Sequence, residues 1–278
     1  VNALDSVDPQ ADVYTPTQLR DAFDADPENM AGTYMWQLNS GYAIVSDNGR
    51  TLTFFRVEDE TLEDKMNTYD LVTVKINGEE EITGVLFGGF EKEGFATADD
   101  QKWYRYRNTI EKVRFANTTM SISTAYWFYG MSNLRTIENI TALDTSVSQS
   151  MTSMFDGCSK LTSLNLSAMR TGRCTDFSRM FAGCSSLTSL GMSAFDTRNA
   201  TDMTQMFDGM AKLSSVTLGP LWSFCSDTLT TDQLALLPMP AKTTEYSGKW
   251  AKGNPDGEPQ YATAQALAFG YDEDPAAA

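Results

Sequence analysis

Apolar positions along this chain follow two rhythms. Between residues 37 and 117 they alternate with polar ones. GYAIVSDNGRTLTFFRV is a pair of alternating runs about Asp47-Asn48-Gly49. A tight turn between strands needs positive φ, which Asn and Gly tolerate, so the pattern predicts a β-hairpin. LVTVKINGEEEITGVLFGGF repeats it about Asn77-Gly78, and IEKVRFAN at 110–117 predicts a third strand. The polar stretch VEDETLEDKMNTYD between the hairpins reads as a loop or short helix. Residues 37–117 are therefore a β-rich segment.

From residue 118 to 220 the rhythm becomes a 26-residue period. MTSMFDGCSKLTSLNLSAMRT begins at Met151, DFSRMFAGCSSLTSLGMSAFDT at Asp176 and DMTQMFDGMAKLSSVTLG at Asp202. Phe155, Phe181 and Phe207 fall 26 apart, and a worn copy puts Phe128 another 27 back. A period of this length marks a solenoid, whose units bury their apolar faces only by stacking. Within a unit, Leu161, Leu164 and Leu166 form an L-x-x-L-x-L strand, followed in the next units by Leu187, Leu190 and Met192, then Leu213, Val216 and Leu218. Phe177, Met180, Phe181 and Cys184 stand at offsets of three, four and seven, which predicts a short helix that Thr175 or Thr201 would cap. The expected fold class is therefore α/β: a short solenoid of the leucine-rich-repeat type, one strand and one short helix per coil. It would carry the β-rich segment at one end and a strand-and-helix cap over 221–278 at the other. Trp103, Tyr104 and Tyr106, interleaved with Lys102, Arg105 and Arg107, are expected to pack on the solenoid end. Trp222, Phe224 and Trp250 are expected to cover the last coil.

Residues 1–36 read as the tail of a preceding module or a linker. YTPTQLRDAFDADP from Tyr14 lies over YATAQALAFGYDEDP from Tyr261 with one inserted residue. The expectation is a tandem array with a period of about 247 residues, whose neighbouring copies would be partners in the parent chain; chance likeness of two short helices is the alternative. The start, VNALDSVDPQ, has no Met and no apolar core, as after processing or in an excised fragment.

The formal net charge is −16, which argues against a nucleic-acid binder, since phosphates demand a basic surface. The acidity is uneven: residues 1–100 hold 21 acids against 6 bases, and the remainder holds 16 against 15. No apolar run is long enough to insert in a membrane. There is no histidine, which removes the usual general base, the Ser-His and Cys-His nucleophile pairs and most catalytic zinc sites. No phosphate-binding glycine loop is present. The chain is thus read as non-enzymatic, with no cofactor and no metal ligands; glycoside hydrolysis by a carboxylate pair is the enzymatic alternative. Cys158 and Cys184 occupy the same place in successive coils, where either a disulfide or two buried thiols fits, and Met210 fills that place in the next unit. Acidic turns at 24–29 and 254–259 lack the calcium-loop pattern.

The repeating Met-Phe-x-x-Cys-x-x-Leu-x-x-Leu-x-Leu-Ser units, with Asp-Thr at 144–145 and 196–197, resemble the 26-residue repeats of the BspA-like bacterial surface proteins. YAIVSDNGRTLTFF before the repeats and YSGKW after them are similar to the flanks in that family. Arg170, where Asp is expected, and Met210, where Cys is expected, depart from it. The resemblance implies a secreted or wall-attached bacterial protein of the adhesin type, binding a host protein or glycan, and no activity. A structural spacer in a tandem surface array is the alternative. The exposed strand positions Ser163, Asn165, Ser189, Gly191, Ser215 and Thr217 would form the ligand-facing strip, since solenoids bind through extended surfaces. That strip lacks the Tyr, Trp and Arg anchors of tight interfaces.

Overall fold

The computed structural model describes residues 41–57, 60–76, 78, 80–90, 94–224, 233–239, 250–251 and 260–261. The chain divides between Asn39 and Ser40, and the following concerns the second unit. The expected tail at 1–36, the likeness of 14–27 to 261–275 beyond Tyr261, the helix near 262–269, Cys225, the Trp250 side chain and both acidic turns lie outside the described residues.

The strands are β1 (Gly41–Ser46), β2 (Thr51–Arg56), β3 (Leu71–Ile76), β4 (Glu80–Gly88), β5 (Lys112–Phe115), β6 (Thr119–Met120), β7 (Thr136–Glu138), β8 (Leu143–Asp144), β9 (Ser189–Met192), β10 (Ser215–Leu218), β11 (Trp250–Ala251) and β12 (Gln260–Tyr261). Both hairpins form where the turn residues place them. Gly49 at φ 71° closes β1 onto β2, its N–H donating to Ser46 O at 2.7 Å, and Gly78 at φ 78° lies between β3 and β4. They join in one six-stranded sheet of order β3-β4-β1-β2-β5-β7. β5 runs parallel to β2 and β7 parallel to β5, so the sheet changes from antiparallel to parallel as it approaches the repeats.

Alternation gives the sheet two apolar faces. Tyr42, Ile44, Phe55, Val74, Ile76 and Leu86 pack under Leu62 of the 3-10 helix Glu60–Lys65. Ala43, Val45, Leu52, Phe54, Val113 and Phe115 belong to the core that runs on into the repeats. Phe54 is its hub: it stacks on Phe115 and on Trp127, each at 4.9 Å between ring centroids, and meets Trp103 edge-on at 5.2 Å. The indole N–H of Trp103 donates to Trp127 O at 2.8 Å, so the aromatic segment after Gln101 ties the sheet to the first coil, as expected for Trp103.

The repeats stack coil on coil. Phe128 and Phe155 lie 5.3 Å apart, Phe155 and Phe181 5.7 Å with planes 5° apart, and Phe181 and Phe207 6.0 Å with planes 7° apart. Trp222 closes the row 6.2 Å from Phe207 and packs edge-on against Phe224 at 5.4 Å. The two middle contacts are parallel offset stacks of buried rings, and the contacts at either end of the row are tilted. Phe54, through Phe128, links the row to the sheet.

The helix expected in each coil does not form, and the α/β leucine-rich-repeat-type assignment is wrong. The described residues hold strands and short 3-10 turns and no α-helix; the longest helical element is Glu60–Lys65. The reason is where the backbone N–H groups go. In an α-helix each donates four residues back. Here alternate ones donate to the next coil: Met151 to Asp176 O, Ser153 to Ser178 O, Phe155 to Met180 O and Gly157 to Ala182 O, at 2.8–2.9 Å. The same ladder recurs from Phe177 to Gly183 onto Asp202, Thr204, Met206 and Asp208. Ser153, Arg179 and Gln205 take left-handed φ of 53–57°, and Gly157, Gly183 and Gly209 take φ of 69–79°, which breaks helical winding every four residues. The offsets of three, four and seven still hold, but they record which residues point inward in a chain of turns. Thr175 and Thr201 cap nothing; the Thr201 hydroxyl donates to Thr175 O at 3.1 Å. Of the three leucine-rich segments, β9 and β10 pair in parallel, whereas 161–166 is not a strand.

A second ladder explains Asp-Thr. Thr171 is buried, donates through Oγ1 to Asp196 O at 2.9 Å and accepts from Asp196 N at 2.7 Å. Thr145 grips Arg170, and Thr197 grips Ser223, in the same reciprocal way. The threonine joins coils, so Arg170 in place of Asp leaves the joint whole.

Candidate functional site

All six strip residues are exposed. In β9 and β10 the alternation turns Leu190 and Met192 inward and Ser189 and Gly191 outward, and the parallel register sets Ser215 beside Ser189 and Thr217 beside Gly191. The structure thus brings these four into one small polar patch. Nothing projects over it at Gly191, where a Cβ would meet no atom within 4 Å. Ser163 and Asn165 sit at the equivalent repeat positions but outside any strand, and Asn165 Oδ1 accepts from Ser167 N at 3.1 Å.

The six-stranded sheet carries charged pairs instead. Lys112 of β5 pairs with Glu138 of β7 at 2.7 Å, and Arg50 with Glu111 at 3.2 Å. Arg114 pairs with Glu80, and that hydrogen bond holds the Glu80 carboxyl below the usual range.

A second lane lies on the turns, and the strand-centred reading missed it. Tyr126, Ser153, Arg179 and Gln205 are the left-handed residues of successive coils. Arg179 Nε donates to Asp156 Oδ2 at 2.8 Å and its Nη1 to Gln205 Oε1 at 2.6 Å, bridging three coils. Tyr126 and Tyr129 meet edge-on at 5.9 Å. Burial, then Asp176, pushes the Tyr126 hydroxyl above its ordinary pKa. The spacing 126, 153, 179, 205 was readable, but only if the Met-x-x-Met-Phe block is folded as turns. Arg179 already has partners on both sides, so it works as a clamp between coils.

The three described cysteines, Cys158, Cys174 and Cys184, are buried thiols. Cys158 Sγ donates to Phe128 O and Cys184 Sγ to Phe155 O, both at 3.2 Å, each reaching the ring residue of the preceding coil. Burial pushes the Cys184 and Cys174 thiols up to about 12, so neither is a nucleophile at neutral pH. Among the described residues no group of three or more metal-ligating side chains gathers, and no helix is long and apolar enough to cross a membrane.

Residues 101–218 match a family model described as Mycoplasma protein of unknown function, DUF285. The match covers less than half of the chain. It begins at Gln101, whose side-chain amide donates to Trp127 O at 2.8 Å, and ends at Leu218, the last residue of β10. No curated protein and no solved structure matches the chain.

Proposed function

We propose that this chain is a non-catalytic extracellular module of a bacterial surface protein that binds a host protein or glycan in the manner of an adhesin. The observation that carries the reading is the outward register of Ser189, Ser215, Gly191 and Thr217 on a rigidly laddered stack. A laddered stack presents a fixed surface, and a fixed surface loses little ordering entropy on binding. The resemblance of the repeats to BspA-like surface proteins supplies the cell-surface setting. A host-protein and glycan array probed with the whole chain tests it. Specific, saturable binding that Gly191→Arg with Thr217→Arg abolishes, with unchanged thermal stability, is the expected result.

The spacer reading keeps one observation in its favour. The patch carries small polar side chains and none of the large anchors that dominate tight interfaces. Silence across the array, or binding indifferent to the paired arginines, would favour a stalk unit whose job is reach and rigidity.

A further inference from the structure

The face of the sheet near β3 carries what the polar strip lacks. Tyr69 is 51% exposed and Leu71 62% exposed, two of the largest apolar exposures in the described chain, and they are two residues apart. Arg105 lies over the Tyr69 ring at 4.9 Å and over Tyr106 at 5.3 Å. Its guanidinium thus lies against two aromatic rings. Among the described residues it makes no ion pair, on a chain of net charge −16. Tyr69 itself sits at φ 66°, a left-handed conformation that L side chains avoid, and Asn67 two residues earlier sits at φ 61°. Such strain persists only where the surroundings enforce it, and it collects at binding sites. Tyr69 also meets Phe87 edge-on at 6.0 Å, which fixes the ring from beneath.

We infer that Tyr69, Leu71, Arg105 and Tyr106 form a docking surface for an acidic polypeptide segment that presents a carboxylate beside an apolar side chain. The chemistry selects this partner in two steps. A guanidinium stacked on rings has its N–H edges free and its rotamers restricted, the state in which bidentate binding of a carboxylate costs least ordering. An exposed Leu next to it matches an aliphatic side chain, which a polypeptide has and a glycan lacks. Tyr and Arg are also the residues enriched where interfaces concentrate their affinity. The inference goes beyond the adhesin reading and uses a different face, so the failure of either leaves the other standing.

The test uses the whole chain and a fluorescein-labelled hexapeptide of alternating Leu and Glu, followed by anisotropy. Its counterpart of alternating Leu and Gln and a heparin hexasaccharide are the controls. The expected result is saturable binding of the Leu-Glu peptide, at least about tenfold weaker binding of the Leu-Gln peptide, and a loss of about tenfold or more with Arg105→Gln, the scale of one charge-assisted contact. Leu71→Thr is expected to weaken binding severalfold. Both variants change exposed side chains, so thermal melts identical to the parent are expected alongside. Equal affinity for the two peptides, indifference to Arg105→Gln, or binding of heparin alone would overturn the proposal. Self-association of the chain that Arg105→Gln abolishes, without peptide binding, would overturn it in favour of a second copy as the occupant.

Discussion

The sheet and the coil stack solve the same problem by different means. In the sheet, backbone groups are satisfied along whole strands: β3 and β4 pair over six residues and β1 and β2 over five. In the stack, strand pairing is brief, and cohesion passes to point-by-point ladders of turn N–H groups, buried threonines and thiols. The cores differ accordingly. Around Phe54, rings meet from several directions, some stacked and some edge-on. Along Phe155, Phe181 and Phe207 they meet only above and below. A sheet distributes its stability over many equivalent bonds. A stack of coils concentrates it in a few repeated positions, so it should be the more sensitive to single changes.

The sharpest break is expected at the ring row. Phe181→Ala should cost about 3–5 kcal/mol in denaturant unfolding, because the vacated space is bounded by two stacked rings with no slack to refill it. Alkaline pH is the next. Cys174 and Cys184 hold their protons to about 12 in the folded chain, and a free thiol ionises near 8.5. Because the folded pKa is the higher, the stabilisation is complete below pH 8.5 and is lost as pH rises towards 12. The slope is about 1.4 kcal/mol per thiol for each pH unit. Unfolding midpoints measured from pH 8 to 11 should fall accordingly, and Cys184→Ala should flatten the fall.

Thr171→Val should cost about 2 kcal/mol, since it strands both the N–H and the C=O of Asp196 against a methyl group. The matching test in the sheet is Thr73→Val, whose hydroxyl meets that of Thr83 at 2.8 Å in the open; there the change should stay within about 0.5 kcal/mol. Gly183→Ala should cost about 1–2 kcal/mol: its φ is 69°, and the added methyl would lie 3.3 Å from Gly157 N. Smallest of all, Lys112→Ala should change stability by less than about 0.5 kcal/mol, and salt should erase the difference, because its pair with Glu138 is exposed.

How much of this was legible in the sequence depended on whether a residue's signal is local. Asn48-Gly49 and the Gly78 turn declare positive φ by composition, so both hairpins were readable. The phenylalanine row was readable because period alone predicts stacking. The secondary structure of the coil was not. Met180, Phe181 and Cys184 are buried at helical offsets whether the chain winds or turns, and only the conformation of Arg179 and Gly183 decides between the two. Arginine carries no sign of a left-handed φ. The polar strip was half legible: Ser189 with Ser215 and Gly191 with Thr217 came together as the register requires, while Ser163 and Asn165 fall in a segment without strand pairing. The turn lane through Tyr126 and Arg179 depended on the misread element and was invisible for that reason. The Tyr69–Arg105 pair joins residues 36 apart in sequence, and no period points to it.

One row of rings, from Phe54 through Phe128, Phe155, Phe181 and Phe207 to Trp222, is expected to make the sheet and the stack a single cooperative body. Two variants, one retaining only Trp127 and the other only Trp222, report on the two ends by fluorescence during urea unfolding. Both traces are expected to share one midpoint, and Phe181→Ala to lower the two equally. Midpoints that separate, with Phe181→Ala shifting the Trp222 trace and leaving the Trp127 trace in place, would contradict it.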